Sequence, residues 1–508
     1  MKYTAIPIIA ALLFLAGCVK DTGNYTYDAV DETAPVITST LAESYEAISL
    51  DQFVIDPQIA GNEDDYTYAW YVYPTNHTGI PYDTLGYERK LDYLVSIKSG
   101  IYALIFKVTS KENGTSVYQR STLNVSSIFG KGFFVNKYAN GHTDVDFVDR
   151  YGVVNPNILE QLNGEGLPGH PIRAGYTPNQ YYYEVEDSEG NKVRLLAQSA
   201  YVVCSDEDMR IYNGDNLELL KAWDDAFLEV PAVKKPEGVW ASTGGFMLKN
   251  NNALHFINNN GYTVGMFGYP YPSDDYKYAP QVSIGYGGYC LFDENAGTFL
   301  GYYPGKNTPL TEAYPFGVGH NYVDYDLTWM ATRPFYSILS SNSYAIIKSR
   351  VDNSSLLVSI WASYIQSNMF VFNEEFVIPS TTGLADGKLF TSHGGGSVST
   401  IVAGHEIIYY SNGDNKVHYY NIRNQTEKTD AITIPADEQI VYIEHAYDFA
   451  YNVNLFIVLS SKGGGWTVRA YDMVGTTYDI QPSPSATYSG DGVAVNLVYR
   501  HPDIAYSF

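Results

Sequence analysis

Leu15, Ala16, Gly17 and Cys18 set a thiol directly behind small side chains. The chemistry of that spacing is acylation of the cysteine followed by cleavage ahead of it. Lys2 and the apolar run over 6–15 complete the layout of an export signal. The run is too short for a bilayer span of about 20 residues. Once cleaved, Cys18 is the first residue of the mature chain, and two or three acyl chains hold it stably at a membrane. Residues 1–17 therefore read as a lipoprotein signal peptide and 18–34 as a lipidated tether.

Motifs for hydrolysis are missing. The chain has no Gly-x-Ser-x-Gly elbow and no His-Glu-x-x-His. The glycine triplets 394–396 and 463–465 lack the lysine and hydroxyl residue of a phosphate loop and read as turns. Acids do cluster, at Asp206, Glu207 and Asp208, at Asp224 and Asp225, at Asp274 and Asp275, and at Glu374 and Glu375. A glycosidase needs two carboxyls about 5–10 Å apart across a sugar. Adjacent strand residues point to opposite faces and do not meet that need. The clusters read as solvated turn acids. No metal site is expected, since the spacing of a calcium loop is absent, although turn carboxylates leave room for a structural calcium. No cofactor motif is present.

The segment most suited to recognition is 268–280. It carries Tyr269, Tyr271, Asp274, Asp275, Tyr276 and Tyr278, and its three prolines preclude a central strand. Flat rings offer apolar faces to a sugar or peptide while hydroxyls and carboxylates orient it. Trp240, Trp329 and Trp361 are candidates to join this surface from other loops. The competing reading is that these aromatics fill the core.

The elements that would carry these residues are strands. Among 508 residues only 17% are charged, 15% are aromatic and 48 are Tyr, a composition suited to strands linked by Gly and Asn turns. The net charge of −25 repels phosphate backbones, so nucleic acid is not an expected partner. With Cys18 lipidated, Cys204 and Cys290 remain. Each lies in an apolar run; the alternative is a disulfide between them, and two buried thiols are the favoured reading.

Residues 35–127 read as an immunoglobulin-like β-sandwich. Tyr102, Leu104, Phe106 and Val108 alternate as one face of a strand, and Trp70 sits mid-strand as a core tryptophan. From 128 to 508 a strand–turn–strand unit recurs every ~40–55 residues, which predicts a β-propeller of about six to eight blades. The fold class is all-β. A β-helix or further sandwiches are the alternatives.

Cys18, Lys20, Asp21, Gly23, Asn24, Tyr25 and Tyr27 resemble the start of the PKD-like family of lipoproteins of the Bacteroidetes phylum. Tyr68 and Trp70, the alternating strand 100–108, and Gly130, Gly132, Phe133, Phe134 and Val135 are similar to it too. The resemblance implies an outer-membrane lipoprotein with a PKD-like sandwich and a propeller, accessory to transporter/lipoprotein systems that import glycans or peptides. It carries over no catalytic residues. Lys20 and Asp21 also resemble the short signal that sends such lipoproteins to the cell exterior, although Thr22 stands where that signal has a second acid. The expected function is non-catalytic capture of an extracellular glycan or peptide beside a transporter complex. The rivals are a glycoside hydrolase or polysaccharide lyase working from the propeller channel, and a structural or adhesive envelope protein. The hydrolase or lyase would bring acids, or a Tyr-His-Arg set, together in one pocket with perturbed pKa values.

Overall fold

The computed structural model describes residues 34–501 apart from 50, 76–82, 98, 178–180, 187–189, 198, 243–244, 259–264, 272–275, 286–287, 303–310, 313–320, 333–339, 364–369, 394–405, 449–452 and 475–477. Cys18 and the rest of the signal and tether therefore lie outside the described residues, as do Asp274 and Asp275. The chain divides into two compact units between Val125 and Ser126, where the sequence reading placed the boundary at 127. Among the described residues no helix is long and apolar enough to cross a membrane.

The first unit is a β-sandwich. One sheet has five strands, in the order Ser44–Ile48, Ser116–Ser126, Gly100–Ser110, Tyr66–Pro74 and Asp83–Gly86, and the other pairs Gln52–Ile55 with Leu91–Leu94. Tyr102, Leu104, Phe106 and Val108 all point into the core, as alternation requires. Trp70 is fully buried there. Its ring stacks on Phe106 at 4.3 Å and its indole N–H donates to the carbonyl of Glu88 at 3.0 Å, so burial leaves no polar atom unpaired.

Among the described residues the second unit holds seven blade-like sheets: of ten sheets there, two belong to the sandwich and one is an inserted hairpin, Tyr181–Glu186 with Lys192–Ala197. The innermost strands of blades 2 to 7 are Pro171–Thr177, Pro236–Ser242, Ser283–Gly285, Tyr325–Thr332, Leu389–Ser392 and Gln439–Asp448. Blade 1 is built from both ends of the unit, because its innermost strand, Val493–Arg500, pairs with Gly132–Ala139. Each innermost strand touches the next around a closed ring, and that ring makes the unit a seven-bladed propeller.

Seven apolar cores fill the seven interfaces between blades. Strands are therefore buried on both faces, and their apolar runs are continuous rather than alternating. In Ala200–Ser205, Val202 and Cys204 face blade 3 while Tyr201 and Val203 face blade 1. Asn140 and Gly141 have φ of 53° and 88°, the left-handed pair that a tight two-residue hairpin needs.

Candidate functional site

The ring of inner strands encloses a cavity of about 340 Å³, within the range of small-ligand sites. Blades 2, 4, 5, 6 and 7 and Tyr499 of blade 1 contribute to its wall. In Gln439–Asp448, Tyr442 and Glu444 stand two residues apart and so share a face of the strand. The Tyr442 hydroxyl donates to Glu444 Oε2 at 3.2 Å. Arg173 reaches the same place from blade 2, with its guanidinium 5.7 Å from the ring of Trp240. A smaller void of about 30 Å³ lies beyond, and Arg173 and Tyr442 border both spaces.

Glu444 is half-buried in the wall of the cavity. Burial pushes its carboxyl up to about 7, against the downward pull of the Tyr442 hydroxyl and Arg173. Burial likewise raises Tyr442 well above its ordinary value, with Glu444 adding to the effect. It raises Tyr499 to about 12, and Glu444 contributes there too. Arg173 is lowered by burial, while Tyr442 and Glu444 favour its charged form. The arrangement can bind a small ligand through one guanidinium, one carboxyl poised between two protonation states, and aromatic walls that include Trp329 and Phe390.

Of the residues expected to recognise ligand, Trp329 reaches this cavity, where its ring lies 5.5 Å from Phe390. Trp240 and Tyr278 are 3% and 2% exposed and offer no ring face to a ligand. They fill the interface between blades 3 and 4, and Tyr271 and Tyr276 pack against the same core. The expectation of a four-tyrosine surface is corrected accordingly, because a propeller interface needs large rings to close it. Tyr269 is 67% exposed and stays on the surface. Trp361 belongs to the strand Ser355–Ser363, and its side chain lies outside the described residues. Sequence reasoning missed Arg173, Tyr442 and Glu444. The available signal was a carboxylate inside the apolar run 440–446, where a charge needs a reason.

The clustered acids go elsewhere. Asp208 pairs with Arg210 and Lys234, and Asp206 accepts from the backbone of His170. Glu374 pairs with Arg423, while Glu375 accepts from Tyr322. A metal-type cluster forms at His142, Asp144 and Glu160. There the Asp144 carboxylate accepts from the backbone N–H groups of Val145, Leu159 and Glu160, so it caps the short helix Ile158–Asn163, whose own Asn157 makes no side-chain cap bond.

None of the curated proteins matches the chain. Similar solved structures include a quinonprotein alcohol dehydrogenase-like protein from Bacteroides thetaiotaomicron VPI-5482, at 13% identity and TM-score 0.40, covering 92% of this chain and 99% of that one. The Dos1 propeller is 10% identical at TM-score 0.33, over 60% of this chain and 81% of its own. Apo AztD from Citrobacter koseri is 10% identical at TM-score 0.34, over 85% and 97%. A family model described as the PKD-like family matches residues 18–171, from Cys18 through the sandwich to the start of blade 2. Over that segment the chain is similar to the PKD-like family.

Proposed function

We propose that this is a lipid-anchored binding protein of the outer membrane. Cys18 carries the anchor, the sandwich is a spacer, and the propeller channel holds an extracellular glycan or peptide beside a transporter complex at the cell exterior. The cavity at the centre of the ring, with Arg173, Tyr442 and Glu444 at its inner end, is the observation that carries this reading. A sandwich and a propeller fit a binding or structural role. The catalytic alternative draws on Glu444, whose carboxyl near 7 suits a general acid. Glycoside hydrolysis uses two carboxyls, however, and Glu444 is the one acid among the described residues that line the cavity.

The test is a glycan-array and peptide-pool screen of the lipid-free chain, with released products followed in parallel. Binding without turnover, lost in Arg173→Ala, supports capture in the channel. Turnover that disappears in Glu444→Gln would replace binding with catalysis. Binding that survives both substitutions would move the ligand seat away from the channel.

A further inference from the structure

We propose that the channel ligand is a small organic anion, a sugar or similar ring bearing a carboxylate, seated with that carboxylate on the guanidinium of Arg173. This rests on the channel being the ligand seat and names the chemistry of what sits there.

Charge is the first support. The whole chain carries −25, yet the cavity lining reverses the balance, with Arg173 and Lys388 against the single acid Glu444. A bore that is basic within an acidic protein selects for a negative group. Arg173 is the second. It forms no close ion pair with any described residue: Glu444 and Tyr442 act on it only through space, and its guanidinium lies 5.7 Å from the ring of Trp240. A planar guanidinium in that state matches a carboxylate through two parallel N–H bonds. Glu444, which would otherwise be its natural partner, is engaged by the Tyr442 hydroxyl.

Shape is the third support. Trp329, Phe390, Tyr447 and Tyr499 line the same space, so a ring attached to the anion meets apolar faces. A carboxylate fits better than a phosphate, because a dianion calls for a second fixed cation, and Lys388 stands exposed at the cavity's edge.

The seat is also sensitive to pH. Glu444 faces Tyr442 on its own strand, Arg173 from blade 2 and Tyr499 from blade 1, and Lys388 of blade 6 lines the same cavity. His445, next along the strand, also lines the cavity, and its ring stacks on His393 at 4.6 Å. Protonated, Glu444 is neutral and leaves Arg173 to the ligand. Ionised, it repels a bound carboxylate and competes for the guanidinium. Affinity therefore falls as pH rises through about 7.

The test is calorimetric titration of the lipid-free chain with glucuronate and glucose, galacturonate and galactose, and inorganic phosphate. At least one uronate is expected to bind while its neutral counterpart does not. Its affinity should weaken about thirtyfold between roughly pH 5.5 and roughly pH 8.5, since only the protonated fraction of Glu444 is competent. Glu444→Gln should retain binding and flatten that dependence. Arg173→Gln should lose about tenfold or more at both pH values with its melting temperature unchanged. Lys388→Gln, at an exposed position, should lose about two- to threefold and some salt dependence. A neutral sugar binding as well as its acid, phosphate binding more tightly than the uronates, or uronate binding that survives Arg173→Gln would each overturn the inference while leaving the channel as the ligand seat. Failure of every probe would overturn it too, and the peptide arm of the screen would then decide whether the channel binds anything.

Discussion

The indole N–H of Trp466 donates to Oδ2 of Asp146 at 2.8 Å, joining blade 7 to blade 1 across 320 residues of sequence. Asp146 is fully buried. Its other oxygen lies 2.7 Å from Lys137 Nζ and accepts the backbone N–H of Asn157 at 2.8 Å. Lys137 donates in turn to the carbonyl of Asp491 at 2.8 Å, so every member of the network has a partner. This polar lock sits at the seam where the ring closes.

Removing Asp146 leaves the buried Lys137 ammonium without its counter-ion, with only the Asp491 carbonyl to accept from it, and that is where the cost lies. Asp146→Ala is expected to destabilise the propeller by about 3–5 kcal/mol, because it strands the Lys137 ammonium. Trp466→Phe keeps an aromatic, smaller ring and loses the donor, for about 1–3 kcal/mol. Urea unfolding of the propeller transition measures both. If Asp146→Ala unfolds at the parent's midpoint, the lock contributes nothing to closure.

What could be read from the sequence follows the range of the interactions involved. The sandwich strand with Tyr102, Leu104, Phe106 and Val108 was legible because alternation is local, and so was the Asn140–Gly141 turn. Blade 1 was not, since Val493–Arg500 returns to Gly132–Ala139 and no local pattern marks that pairing. The inward turn of Tyr271, Tyr276 and Tyr278 depends on how much space two neighbouring blades leave between them. Arg173 and Glu444 belong to strands of different blades, and only ring closure brings them to one cavity.

The loop tyrosines separate into two kinds by burial. Tyr278 packs in the core between blades 3 and 4 and stacks on Tyr276 at 5.6 Å, so Tyr278→Ala should cost about 3 kcal/mol or more. Tyr269 is exposed, and Tyr269→Ala should stay within about 0.5 kcal/mol of the parent. Paired thermal melts check this. Equal effects of the two changes would mean that the loop is not packed as described.

Cys204 and Cys290 are free thiols buried in different interfaces, one between blades 2 and 3 and the other between blades 4 and 5. Burial pushes both thiols upward, which keeps them protonated and poor nucleophiles. An aromatic disulfide reagent should leave both unmodified in the native chain and label both after unfolding, and mild oxidation should form no bond between them. Fast labelling of either in the native state would contradict its placement.

Glu444 ties stability to pH with a definite sign. In the folded chain its carboxyl titrates near 7 instead of 4.5, so the native state holds a proton that the unfolded state has released. Stability from this group is complete below the unfolded value and is lost as pH rises through about 7, by up to about 3 kcal/mol, which the partial exposure of Glu444 reduces. Glu444→Gln removes the titration. The variant should match the parent near pH 4.5 and exceed it above pH 7, as read from unfolding midpoints across that window. A variant less stable than the parent at alkaline pH would mean that ionised Glu444 is held by a strong native partner, and Arg173 would then be spent on it rather than on a ligand.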